Sequence, residues 1–120
     1  LKNTFFFLKL PIALSLAGHG LVRLPKLRAF AEGMADSMQQ SILPKSLITG
    51  FGYALPFLEA LVGIALLIGF QTRKSIQASL IIMSLLIIGS STVENWGAIQ
   101  AQLIHSFYLF GLLWYWDKNQ

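Results

Sequence analysis

The feature that most constrains this chain is the spacing of its charges, which leaves four long apolar runs. From Asn3 to Val22 the only fixed charge is Lys9, and between Lys45 and Arg73 the only one is Glu59. Between Lys74 and Glu94, and again between Glu94 and Asp117, there is none. Each run has room for about 20 helical residues, the length that crosses a hydrocarbon core of about 30 Å. Composition agrees: 55% of the 120 residues are hydrophobic and 12% charged, whereas a soluble domain carries about twice that charge fraction. The pattern predicts one all-α integral membrane domain, residues 1–120, built as an antiparallel bundle of four transmembrane helices.

Helix 1 is expected over 4–23, because Pro25 cannot continue an undistorted helix. Helices 2, 3 and 4 are expected over 46–70, 75–91 and 97–116. The run SLIIMSLLIIG has strong β-propensity, but an open strand in lipid would leave its backbone unpaired, so helix wins there. The links QTRKS and TVENW are short. The long connection lies between helices 1 and 2, where Leu24, Leu27, Ala31, Met34 and Met38 recur at helical spacing. Arg28, Glu32, Asp36 and Gln39 fall elsewhere on the wheel, and Pro25 and Pro44 mark the boundaries. An amphipathic helix over 25–40 is expected, lying at the membrane surface or folded over the bundle mouth. Its two methionines read as an apolar face rather than a metal box.

The first helix reads as an anchor, since His19, Arg23 and Pro25 stand where a signal peptide would show small residues and a cleavage site. The chain starts at Leu1, so a short preceding segment is expected. With four spans, both termini and QTRKS share one side, with Lys2, Lys9, Arg73, Lys74 and Lys118. The other side holds Arg23, Lys26, Arg28 and Lys45. That bias of five to four among the nine Lys and Arg residues favours cytoplasmic termini. Trp96, and Trp114, Tyr115 and Trp116, mark interfacial belts at the two ends of helix 4. The net charge of +4 suits anionic headgroups, with no nucleic-acid partner expected. There is no cysteine, which excludes disulfides, thiolate metal sites and thiol relays on this chain.

Glu59 stands midway between Lys45 and Arg73, near the bilayer centre, where a carboxylate must be protonated, paired or turned to a wet cavity. Gly52, Pro56, Glu59 and Gly63 form one narrow helical stripe, whose small residues let a neighbouring helix approach. Glu59 is therefore expected to face the bundle. Helix 4 offers a second stripe, Ala98, Ala101, Gln102, His105 and Tyr108. Counting from the Arg23 side, His19, Glu59 and His105 lie at roughly 6, 20 and 12 Å of helix rise, so the three can line one pocket. Candidate ligand-binding residues are Glu59, His105, His19, Gln102, Tyr108 and Arg23, and candidate packing residues are Gly52, Pro56 and Gly63. The competing reading makes Glu59 a packing partner of His105 or Arg23, and His105, Gln102 and Tyr108 interhelical glue. Arg23, Lys26 and Arg28 read as headgroup contacts. A bis-His haem between His19 and His105 is disfavoured by their different depths, and no metal site is expected.

Two blocks, HGLVRLPKLRAF at 19–30 and PFLEALVGIALLIGFQTR at 56–73, resemble motifs of the DoxX family of small bacterial four-helix membrane proteins. The first is similar to that family's His-Gly-x-x-Lys-Leu, with Arg23 in place of the Lys; the second to its proline, glutamate, spaced glycines and Thr-Arg. The resemblance implies the four-helix fold, the bacterial inner membrane, and Glu59, His19, Arg23 and Arg73 as motif positions. It also implies kinship with the membrane subunits of thiosulfate:quinone oxidoreductase and with accessory components of redox systems.

Two functions follow as expectations. One is a small redox-associated subunit, accessory rather than a stand-alone enzyme, holding a quinone or similar lipophilic molecule between carboxylate and imidazoles. The other is a non-catalytic scaffold or assembly subunit within a membrane complex or a homo-oligomer. A transporter is disfavoured by four spans without visible inverted repeats.

Overall fold

The computed structural model describes residues 2–119; the side chains of Lys2 and Asn3 lie outside the described residues, as do Leu1 and Gln120. Lys2, counted above among the basic residues of the terminal side, is thus not placed. The chain is all-helical, with no strand among the described residues: α1 (Lys2–Arg23), one 3₁₀ turn (Leu24–Lys26), α2 (Leu27–Ser37), α3 (Lys45–Ile68), α4 (Thr72–Thr92) and α5 (Trp96–Lys118). Three helical stretches are long and apolar enough to cross a membrane, namely Thr4–Ser37, Lys45–Ile68 and Thr72–Thr92. The first runs through the 3₁₀ turn. α5 is as long as the others but is diluted by Gln100, Gln102, His105 and Asp117.

Boundaries moved where local caps decide them. α3 ends at Ile68 rather than 70 because Gly69 adopts a left-handed conformation with φ 78°. The Gly69 and Phe70 N–H groups turn back to the carbonyls of Leu66 and Ala65, closing the helix end. After Gln71, α4 begins at once with Thr72, so most of QTRKS is the first turn of a helix rather than a link. α5 starts at Trp96, capped by the Asn95 side chain, which accepts from the Ala98 N–H at 3.2 Å.

The closest packing is between α1 and α3. A Cβ on Gly20 would collide with the backbone of Pro56 and Ala60, and one on Gly63 with the backbone of Ala17. The two helices meet backbone to backbone, which only small residues allow. Gly52 belongs to the same stripe but serves a different partner: its missing Cβ leaves room for Ala31 of α2, whose Cα would lie 2.9 Å from it.

That contact explains a correction to the expected depths. α2 packs along the first half of α3 through buried Ala31 and Ala35, with Met34 and Met38 half-buried beside them and Arg28, Glu32, Asp36 and Gln39 exposed. The end of α1 is consequently held level with the middle of α3 instead of its start. Glu59 lies level with Gly20, about 5 Å of helix rise from Arg23 rather than about 20 Å. The core then runs between the helices through Leu16, Leu55, Leu66, Ile76, Met83 and Leu109.

Lys9 is also buried. Its Nζ is 6.0 Å from the Phe5 and Phe6 ring centroids and 3.8 Å from where a Cβ of Gly69 would stand. The cation is directed to the carbonyl end of α3, where the helix dipole favours it.

Candidate functional site

The new register brings four polar groups to one level between α1, α3 and α5. Glu59 is buried and accepts from Arg23 Nη1 at 3.1 Å. The Arg23 guanidinium lies over the Phe30 ring, 4.3 Å from its centroid, so one face is covered by an aromatic and one edge is taken by the carboxylate. Glu59 is thus paired, one of the three states open to a carboxylate at this depth, and Arg23 is its partner rather than a headgroup contact. The reason is the register: α1 ends beside Glu59 instead of at the end of α3. Arg28 also has a protein partner, Glu32 one turn on, at 3.5 Å.

On the other side of α1, Ser15 connects the two histidines. His105 Nδ1 lies 2.9 Å from the Ala101 carbonyl, and His19 Nδ1 lies 2.6 Å from the Ser15 carbonyl. A carbonyl can only accept, so both rings carry their proton on Nδ1 in the neutral form. The Ser15 hydroxyl, 3.1 Å from His105 Nε2, therefore donates to it. The rings meet edge to face at 81° with centroids 6.1 Å apart. His19 is exposed and His105 half-buried, and no hydrogen bond occupies His19 Nε2 among the described residues.

Of the six residues expected to share a pocket, four form two contacts: Arg23 pairs with Glu59, and His19 meets His105 in an imidazole edge. The other two are elsewhere. Tyr108 donates to the Leu8 carbonyl, in the stretch of α1 where Pro11 interrupts the hydrogen-bond ladder. Gln102 donates from Nε2 to Ser90 Oγ at 3.1 Å, across the α4 interface. The expected single stripe on α5 splits because that helix wedges between two neighbours: His105 and Tyr108 face α1, while Gln102 faces α4. Arg73, a motif position of the resemblance, pairs with Asp117 at 2.8 Å at the far end of the molecule.

Sequence reading passed over two residues of this site. Ser15 is one helical turn before His19, a spacing that puts both on one face, and this was the available signal. Gly20 is the glycine of the quoted His-Gly block, but that block carries no signal for packing against α3, where Gly20 permits the approach that brings Arg23 to Glu59. Among the described residues no group of three His, Asp or Glu side chains is arranged to hold a metal ion. Compared with protein-family models, curated proteins and solved structures, the chain matches none.

Proposed function

We propose that this chain is a four-span membrane protein whose imidazole edge binds a quinone or a similar lipophilic molecule, and that it serves a redox system as an accessory subunit. Membrane insertion is supported by the outward surface. Phe7 and Leu14 on α1, Leu61 and Ile68 on α3, Ile81 and Ile88 on α4, and Ile104 and Phe107 on α5 are each more than half exposed. Water would penalise so much apolar surface, whereas lipid matches it, and α5 shares this property with the three more apolar spans.

An antiparallel bundle is supported by the contact pairs. Ala17 meets Gly63 while Gly20 meets Pro56 and Ala60; Phe5 meets Trp116 while Ser15 meets His105. Numbers rise on one helix as they fall on the other. The bacterial inner membrane and cytoplasmic termini follow from the DoxX resemblance and from the five-to-four basic bias.

The observation that carries the ligand reading is the exposed His19 ring, with Nε2 unused, beside a second imidazole already engaged by a hydroxyl. Neutral Nε2 accepts from a quinol hydroxyl, and the imidazolium donates to a quinone carbonyl. Arg23 and Glu59 neutralise each other, so the pair adds no net charge to the bundle interior. Extraction and mass spectrometry of protein purified in mild detergent should yield a stoichiometric quinone. It should be lost from a His19→Ala, His105→Ala variant that keeps its unfolding temperature. Full retention in that variant, or no such molecule in the parent, overturns the reading.

A scaffold or assembly role is the second reading, favoured by the Arg23–Glu59 pair, which is satisfied within the chain and fastens α1 to α3. It predicts a stable protein partner or homo-oligomer that co-purifies undiminished with the histidine variant.

A further inference from the structure

A cavity lies away from the histidines, at the end of the molecule where α2 covers α3, α4 and the start of α5. Its volume is ≈ 330 Å³, at the small end of the roughly 300–1,000 Å³ typical of ligand sites. Met34 of α2 and Met38, its C-cap, form one wall, and Phe51 and Leu86 the flanks. Methionine side chains are flexible and adapt to irregular apolar shapes. Four polar residues interrupt this lining, Ser37 and Asn95 at exposed positions and the less exposed pair Ser90 of α4 and Gln102 of α5.

These two are incompletely satisfied in a complementary way. Gln102 donates to Ser90 Oγ at 3.1 Å, but its Oε1 is buried with no hydrogen-bond partner in the protein. Burial of an amide oxygen without a donor is unfavourable. Ser90 differs from the other serines of its helix. Ser79, Ser84 and Ser91 each donate back to a carbonyl of α4, whereas the Ser90 hydroxyl has no acceptor among the described residues. Ser37 donates to the Met34 carbonyl and Asn95 caps α5, both at exposed positions, so the less exposed part of the lining offers one unused acceptor and one unused donor, side by side.

We infer that this cavity is a binding site for a single-chain or single-ring apolar molecule bearing one hydroxyl, which donates to Gln102 Oε1 and accepts from the Ser90 hydroxyl. A hydroxyl is the group that can do both. The cavity volume suits one short chain or one ring rather than a two-chain lipid. This site is separate from the imidazole edge, because Gln102 faces α4 and His105 faces α1.

The test uses the full chain in lipid nanodiscs, with tritiated decan-1-ol and tritiated decane as probes and protein-free nanodiscs subtracted for bilayer partition. Saturable uptake of decanol is expected, with decane binding about tenfold weaker, the effect of losing one or two neutral hydrogen bonds. Gln102→Leu should bring decanol down to the level of decane. Ser90→Ala, which removes the donor to the ligand together with the acceptor of Gln102 Nε2 but leaves Gln102 Oε1 in place, should weaken decanol about threefold and serves if Gln102→Leu does not fold. A Cβ on Gly89 would lie 3.5 Å from Met38 Cε, so Gly89→Leu grows into the cavity and should block both probes. His19→Ala should leave decanol uptake unchanged, which separates this site from the quinone reading. Equal uptake of decane and decanol, decanol uptake unaffected by Gln102→Leu and Ser90→Ala, or its loss in His19→Ala overturns the proposal.

Discussion

Two ion pairs join helices among the described residues, and they differ in almost everything except chemistry. Arg23–Glu59 joins α1 to α3 at 3.1 Å, with the carboxylate side chain 6% exposed. Arg73–Asp117 joins α4 to α5 at 2.8 Å and is bidentate, yet its side chains are 52% and 45% exposed. By distance and geometry the second is the better bond. By surroundings it matters less, because water and salt screen exposed charges and replace each partner when the other is lost. A buried charge has no such replacement. The comparison teaches that environment, and not bond length, decides which of the two pairs the fold depends on.

The comparison can be broken from its strongest side first. Glu59→Lys sets a second cation against Arg23 in a buried place and should abolish recovery of monodisperse protein after detergent extraction. Normal yield and an unchanged unfolding temperature would show that Glu59 is not inside the bundle. Next, Arg23→Leu alone leaves Glu59 buried without a partner and should cost about 3–5 kcal/mol. The double variant Arg23→Leu, Glu59→Leu should recover most of that loss, read from denaturant unfolding of the three variants side by side. If the double variant is no better than the single, the pair is not the reason for the loss.

Smaller effects sharpen the contrast. Gly20→Ala pushes a Cβ into the Pro56 and Ala60 backbone and should destabilise by about 1–3 kcal/mol, the usual penalty of overpacking. The same change at Gly18, around which a Cβ meets nothing within 4 Å, should have no such effect. A thermal-unfolding comparison of the two variants distinguishes a close helix approach from a general need for glycine. Asp117→Asn should have the smallest effect of the series, an unfolding temperature within error of the parent. A large drop there would mean that the exposed pair carries the α4–α5 contact after all.

Much of the architecture was legible because it depends on local quantities. The helices were readable from charge-free run lengths, and a close approach of some neighbouring helix to α3 from the small residues of the Gly52, Pro56, Gly63 stripe. The outward and inward faces of α2 were readable from the 3.6-residue period. The inward direction of Glu59 followed from the same stripe. Its partner was narrowed only to His105 or Arg23, since depth counted from helix ends assumes that neighbouring helices start level. Here α2 returns along α3 and carries the end of α1 to the middle of its neighbour. The split of Gln102 from His105 was hidden for a related reason: residues three apart on α5 are neighbours on one helix, but face two different partners once that helix is wedged.

By itself, then, the sequence determined an all-helical chain with spans suited to lipid, a carboxylate that had to be compensated inside, and small residues where helices could meet. These follow from the costs of burying charge and backbone, which are the same wherever the segment sits. Only the tertiary structure decided that Arg23 is the compensating group, that Ser15 ties His19 to His105, and that Gln102 and Ser90 face a separate cavity. Those pairings depend on how far one helix slides along the next, and the sliding is set by contacts such as Gly52 with Ala31, between residues far apart in the chain.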